Sequence, residues 1–150
     1  MKPHRFGLVL LLINFPLTAQ TEQADPLSYI GMPLPQLLEM FGPPKAVHAV
    51  RGSEVWQDDV VFEYQEGDFY IYKDRVWQVS LKAAYGISLG DSRAAAALIF
   101  GNAEDRGNIL IWPLPSGGAR PTHGAWPAAL RINLNPQGLV SAIFVYRSDF

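Results

Sequence analysis

Two stretches of the chain carry the same punctuation, and this constrains the fold more than any other feature. Gly31 to Gly42 (GMPLPQLLEMFG) and Gly90 to Gly101 (GDSRAAAALIFG) run the same distance from an opening glycine to a closing Phe-Gly pair, and each is preceded by an aliphatic residue, Ile30 or Leu89. Self-similarity at a fixed spacing points to a duplicated folding unit. Ser92 suits an N-cap, because its hydroxyl can accept from an early helical N–H. Pro33 and Pro35 fit only at a helix start, where the missing N–H is not needed. Gly42 and Gly101 stand where a left-handed residue stops a helix, and Pro43 and Pro44 cannot continue one. The spacing predicts short helices over Pro35–Phe41 and Arg93–Phe100.

Beyond each helix the residues take on the period of a strand. Val60, Phe62 and Tyr64 alternate with Val61 and Glu63, and Trp77, Val79 and Leu81 alternate with Gln78 and Ser80. Ala46–Val50, Phe69–Tyr72, Asn108–Trp112, Leu130–Leu134 and Leu139–Tyr146 complete the set, with turns at Gln65–Asp68, Lys73-Asp74 and Asn135–Gly138. The fold class expected is therefore α+β: two tandem helix-plus-antiparallel-meander repeats, 28–83 and 84–150, with the helices on one face of the sheet. Pro113 to Pro127 (PLPSGGARPTHGAWP) has no counterpart in the first half; loops this long are uncommon and often functional.

The N-terminus reads as a targeting segment. Lys2, His4 and Arg5 precede the apolar run Phe6–Phe15, and Pro16 to Ala19 lead into a polar stretch, the order of a secretory signal peptide. Residues 1–19 are expected to be the signal and 20–27 a linker. The apolar run is well short of the ~20 residues of a spanning helix, so no stable membrane span is expected after its removal. Without Lys2 and Arg5 the basic count falls from 12 to 10 against 14 acidic residues, a formal charge of −4. No basic block survives, which removes the electrostatic footprint of nucleic-acid binding. The absence of cysteine excludes thiol catalysis and thiolate metal sites, so the core alone must hold the fold.

The pattern of glycine, apolar helix, Phe-Gly-Pro-Pro (Phe41 to Pro44) and a meander containing Tyr70-Ile71-Tyr72 resembles the BamE/SmpA-type repeat. Two such units over roughly Ser28 to Arg147 resemble the β-lactamase-inhibitor-protein-like architecture. The resemblance implies envelope location, no catalysis and a protein partner, either in outer-membrane protein assembly or through inhibition. The missing lipidation cysteine departs from the BamE pattern, and no contact residue is carried across.

Candidate chemistry is sparse. His48, Asp58, Asp59, Glu63 and His123 are the side chains able to act, yet adjacent Asp58 and Asp59 would point to opposite sheet faces if extended. Two histidines without close spacing give no metal site, and Ser116 lacks a nucleophile elbow. No catalytic residue, metal or cofactor is expected. The aromatic residues between Trp56 and Trp77 are more informative. If Phe62, Tyr64, Ile71, Trp77 and Val79 face the helices, then Val61, Tyr70, Tyr72 and Val76 lie on an uncovered face. With Trp56, and with Arg120, His123 and Trp126 of the long loop, they form the expected protein-binding surface. Cross-strand aromatic pairs also stabilise sheets, and that reading stays open for the cluster. The functional expectation is a periplasmic or secreted, non-catalytic module that binds another envelope protein. The alternative is a small periplasmic ligand-binding protein or hydrolase with a pocket between the repeats.

Overall fold

The computed structural model describes residues 24–51, 58–115 and 126–149. A 3-10 turn at Pro26–Tyr29 leads into helix α1 (Leu34–Phe41), and four strands come next: β1 (Ala46–Val50), β2 (Asp59–Glu63), β3 (Gly67–Tyr72) and β4 (Arg75–Leu81). After a small hairpin of β5 (Ala83–Ala84) and β6 (Ile87–Ser88) come helix α2 (Arg93–Phe100) and strands β7 (Glu104–Asp105), β8 (Ile109–Pro113), β9 (Ala128–Leu134) and β10 (Val140–Arg147).

Both helices end for local reasons. In α1, Pro33 is extended and Pro35 occupies the first turn, while Gly42 at φ 73° turns its N–H back to the Leu38 carbonyl. In α2, the Ser92 hydroxyl accepts from the Ala95 N–H, and Gly101 at φ 72° bonds back to Ala97. Each N-terminus is pinned by the end of a hairpin. Gly31 N–H bonds to the Val76 carbonyl and Leu34 N–H to Asp74, beside the left-handed pair Lys73 and Asp74 that turns β3 into β4. Gly90 N–H bonds likewise to Val140 and Arg93 N–H to Gly138, at the β9–β10 turn.

The sheet corrects the fold expected from sequence. Strand occupies 47% and helix 18% of the described residues, and eight strands form one continuous antiparallel sheet in the order β1-β2-β3-β4-β10-β9-β8-β7. The molecule is mostly β, not an α+β pair of tandem helix-plus-meander repeats. The physical reason is the pairing of β4 with β10, in which Val79 lies opposite Val145 and Leu81 opposite Ile143. All four are buried, so the two meanders share one ladder and one core. Two eight-residue helices then serve as covers for a sheet, too short to act as layers of their own.

Both covers lie on the same side. Phe41 of α1 packs on Phe69 and Tyr64, with Tyr29 against Phe41 and Phe69. Phe100 of α2 packs on Trp112 at 5.1 Å between centroids. Phe69, Val79, Val145, Leu130 and Trp112 stand in one row across the register, so the rings touched by the two helices share a face. The Tyr85 hydroxyl, donating to Asp25 Oδ1 at 2.9 Å, ties the central hairpin to the start of the described chain.

A bulge decides which side chains face out. Tyr70 pairs with Gln78 and Ile71 with Val76, leaving Trp77 as the extra residue of β4. Val76 consequently turns to the helix side with no exposed surface, and Trp77 turns away from it. Both are the reverse of the strict alternation assumed from sequence.

Gly67 stands where the backbone of β4 leaves no room for a side chain on β3. A Cβ there would collide with the Ser80 carbonyl oxygen and lie 2.9 Å from Leu81 Cδ2. Gly67→Ala is therefore expected to cost about 2–3 kcal/mol by overpacking, read as a lower urea midpoint with an unchanged slope.

Candidate functional site

The face opposite the helices is built from alternate residues of each strand. Across the register run His48, Val61, Tyr70, Gln78, Tyr146 and Ala129, and beside them Glu63, Asp68, Ser80, Phe144, Arg131 and Ile111. Among the described residues neither helix lies on this side. Val61 and Gln78 are nonetheless buried, at 1% and 5% exposure. Tyr70, Tyr72, Phe144 and Tyr146 are half-buried.

The centre of the face is an arginine among aromatic rings. The Arg131 guanidinium carbon stands 4.3 Å from the Phe144 ring centroid and 5.5 Å from that of Tyr146. Stacking of this kind is worth roughly 0.5–2 kcal/mol, more as water is excluded. Nη2 donates to Gln78 Oε1 at 3.4 Å, while Nε is buried without a partner, as is Asn133 Oδ1 further along β9. Burial pushes the Arg131 pKa down, opposed by the phenols of Tyr146 and Tyr70. Tyr70 stacks edge-to-face on Trp77 at 6.4 Å, and the Trp77 indole N–H donates to Asp59 Oδ1 at 2.9 Å.

Towards the β1 edge the face becomes acidic. Burial raises the Asp59 carboxyl above its ordinary 3.8, opposed by the Trp77 hydrogen bond and reinforced by Asp58. Burial also raises Asp68, reinforced by Glu63 directly across the strand pair and opposed by His48 and Lys82. His48 Nδ1 lies 3.1 Å from Glu63 Oε1, both side chains being well exposed. Asp58 pairs with Arg51 in solvent. These groups do not converge as a nucleophile, base and orienting partner would. Among the described residues no group of His, Asp or Glu could hold a metal ion.

The residues singled out from sequence are scattered. Tyr70 and Tyr72 lie on the uncovered face; Val61 lies on it but is covered; Val76 is in the core beneath the helices. Trp126 packs against the core's margin, with the Arg147 guanidinium 3.8 Å over its ring. Trp56, Arg120 and His123 lie outside the described residues, as does most of the Pro113–Pro127 loop. Tyr72, Lys73, Arg75, Trp77 and Arg147 line an open groove of about 370 Å³. Sequence reasoning missed Arg131, Phe144, Tyr146 and Gln78. The signal was present: Arg131 and Asn133 alternate with Leu130, Ile132 and Leu134, so a charge was destined for the face opposite the core.

No protein-family model matches the chain, and no curated protein is significantly similar to it. A solved structure of an extracellular protein containing an SCP domain, from Bacillus anthracis strain Ames, matches with a TM-score of 0.53 at 9% identity. The match covers 95% of this chain and 51% of the other, so the chain spans about half the length of that protein. At this identity the likeness is one of fold. No helix among the described residues is long and apolar enough to cross a membrane.

The raised carboxyls set a sign for pH dependence. A carboxyl held more protonated in the folded chain than in the unfolded one takes stability away as pH rises through the window above 3.8, and returns it on acidification. Asp68→Asn removes one such group. Its stability relative to the native protein is expected to increase from pH 4 towards neutrality, read as diverging urea midpoints; parallel midpoints would count against the assignment.

Proposed function

We propose that this protein is a secreted, non-catalytic recognition module whose partner, another protein of the envelope or extracellular space, docks on the sheet face opposite the helices. The observation that carries the reading is the cluster of Tyr70, Gln78, Arg131, Phe144 and Tyr146 at the centre of that face. Tyrosine and arginine are among the residues most enriched where interfaces gain their affinity, tyrosine because it buries much area with few torsions to fix and arginine because its planar guanidinium stacks and binds in pairs. A mostly antiparallel sheet with one face open offers such a platform without further machinery.

Export is supported by the basic, apolar and small-residue order of the N-terminus, and by the extracellular nature of the protein that shares the fold. The absence of catalysis is supported by the chemistry at hand: the titratable groups of the open face are spread along strand edges and satisfy one another.

The test compares native protein with the double variant Tyr70→Ala, Tyr146→Ala, each immobilised and exposed to the extracellular and envelope fractions of its source. The double variant is expected to recover at least about tenfold less of whatever the native protein retains, since hot-spot tyrosines contribute on the order of 2 kcal/mol or more each. Because both rings are half-buried, a stability loss of about 1–2 kcal/mol with cooperative unfolding preserved is expected alongside. Equal recovery by the two proteins would overturn the reading.

A further inference from the structure

Six arginines lie among the described residues, and five have an anion or a backbone carbonyl to bind. Arg51, Arg93, Arg106 and Arg147 pair with Asp58, Asp105, Glu104 and Asp149, and Arg75 donates to the Gly31 carbonyl at 3.0 Å. Arg131 has neither. It is also the one set over two aromatic rings on the open face, with a single long hydrogen bond to a neutral amide. A guanidinium carries five N–H donors in one plane, so four of them find no acceptor among the described residues. The guanidinium stands over the Phe144 and Tyr146 rings, and its unpaired N–H donors are its means of further binding.

The surroundings are matched to an oxyanion. The Tyr70 and Tyr146 hydroxyls make no hydrogen bond among the described residues, and both phenols lie close enough to influence the guanidinium charge. The nearest carboxylates of the face, Asp59, Glu63 and Asp68, are engaged towards the β1 edge with Trp77, His48 and one another. A partly desolvated cation without a counter-ion carries a standing electrostatic cost, and a carboxylate brought by a partner relieves it with two parallel charge-assisted hydrogen bonds.

We propose that Arg131, assisted by the Tyr70 and Tyr146 hydroxyls, is the seat for an acidic side chain, Asp or Glu, presented by the protein partner; the inference rests on the proposed recognition function. Phe144 forms the floor of the seat.

Two blocked tripeptides provide the test, acetyl-Phe-Glu-Phe-amide and acetyl-Phe-Gln-Phe-amide, which differ only in charge at the central residue. Each is titrated to about 10 mM, a range that detects weak millimolar binding, into ¹⁵N-labelled native protein. The Glu peptide is expected to shift the Arg131 side-chain Nε–Hε resonance and to bind at least tenfold more tightly than the Gln peptide, with the gap narrowing as salt is raised. Arg131→Gln should abolish that preference, and Arg131→Lys, which keeps the charge but loses the planar edge, should retain only part of it. Equal affinity of the two peptides for native protein, no shift at Arg131 with either, or an undiminished preference in Arg131→Gln would each overturn the seat. The peptide comparison on native protein requires no variant to fold. If the Tyr70, Tyr146 double variant loses its partner while Arg131→Gln keeps it, the acidic seat falls and face recognition stands. If the peptides discriminate but the double variant keeps its partner, the recognition reading falls instead.

Discussion

The pairing of β4 with β10 is the contact on which the rest of the structure depends. Val79 against Val145 and Leu81 against Ile143 place four fully or nearly fully buried aliphatic side chains at the midline of the sheet. Without that ladder, each meander would be a four-stranded ribbon under one eight-residue helix, with too little apolar surface removed from water to compensate for ordering its backbone. With it, Phe69, Leu130, Ile132 and Ile143 belong to a single core that α1 and α2 roof together. The chain has no cysteine to share this task.

Roofing one face leaves the other to be finished by side chains. An open antiparallel face would ordinarily be polar. Here the β4 bulge sends Trp77 and Gln78 outward together, and β10 adds Phe144 and Tyr146, so the middle of the face is aromatic while charge gathers towards β1. The two edges are unlike as well. β7 is two residues long and acidic, a blunted edge, whereas β1 is five residues of Ala, Val and His, all exposed.

The proposal of recognition over catalysis rests on this layout. Catalysis needs titratable groups brought together with their pKa values driven apart. On this face burial raises Asp59 and Asp68 in the same direction, on neighbouring strands and without a nucleophile between them. Recognition needs large rigid side chains, a polar group awaiting a partner, and a frame that holds both. Arg131 over Phe144 and Tyr146, carried on central strands of the sheet, is the arrangement on which the proposed recognition rests.

Local order was legible in the chain. Gly42, Ser92 and Gly101 announce helix ends through backbone geometry and capping that depend only on near neighbours, and α2 spans the residues expected of it. Strand positions were legible for the same reason, from period-two runs such as Leu130 to Leu134. The bulge at Trp77 was not, because an extra residue shows only once Tyr70 and Gln78 are known to pair; hence Val76 was assigned to the open face and belongs to the core. The short strands β5, β6 and β7 are too brief to leave a periodic trace. By itself, then, the sequence determined where the two helices and the longer strands lie to within a residue or two, since those choices are made by φ preferences and hydrophobic alternation among near neighbours. Only the tertiary structure decided that two meanders merge into one sheet and that Arg131 meets Phe144, Tyr146 and Gln78, since both rest on pairings between residues far apart in the chain, which no local pattern encodes.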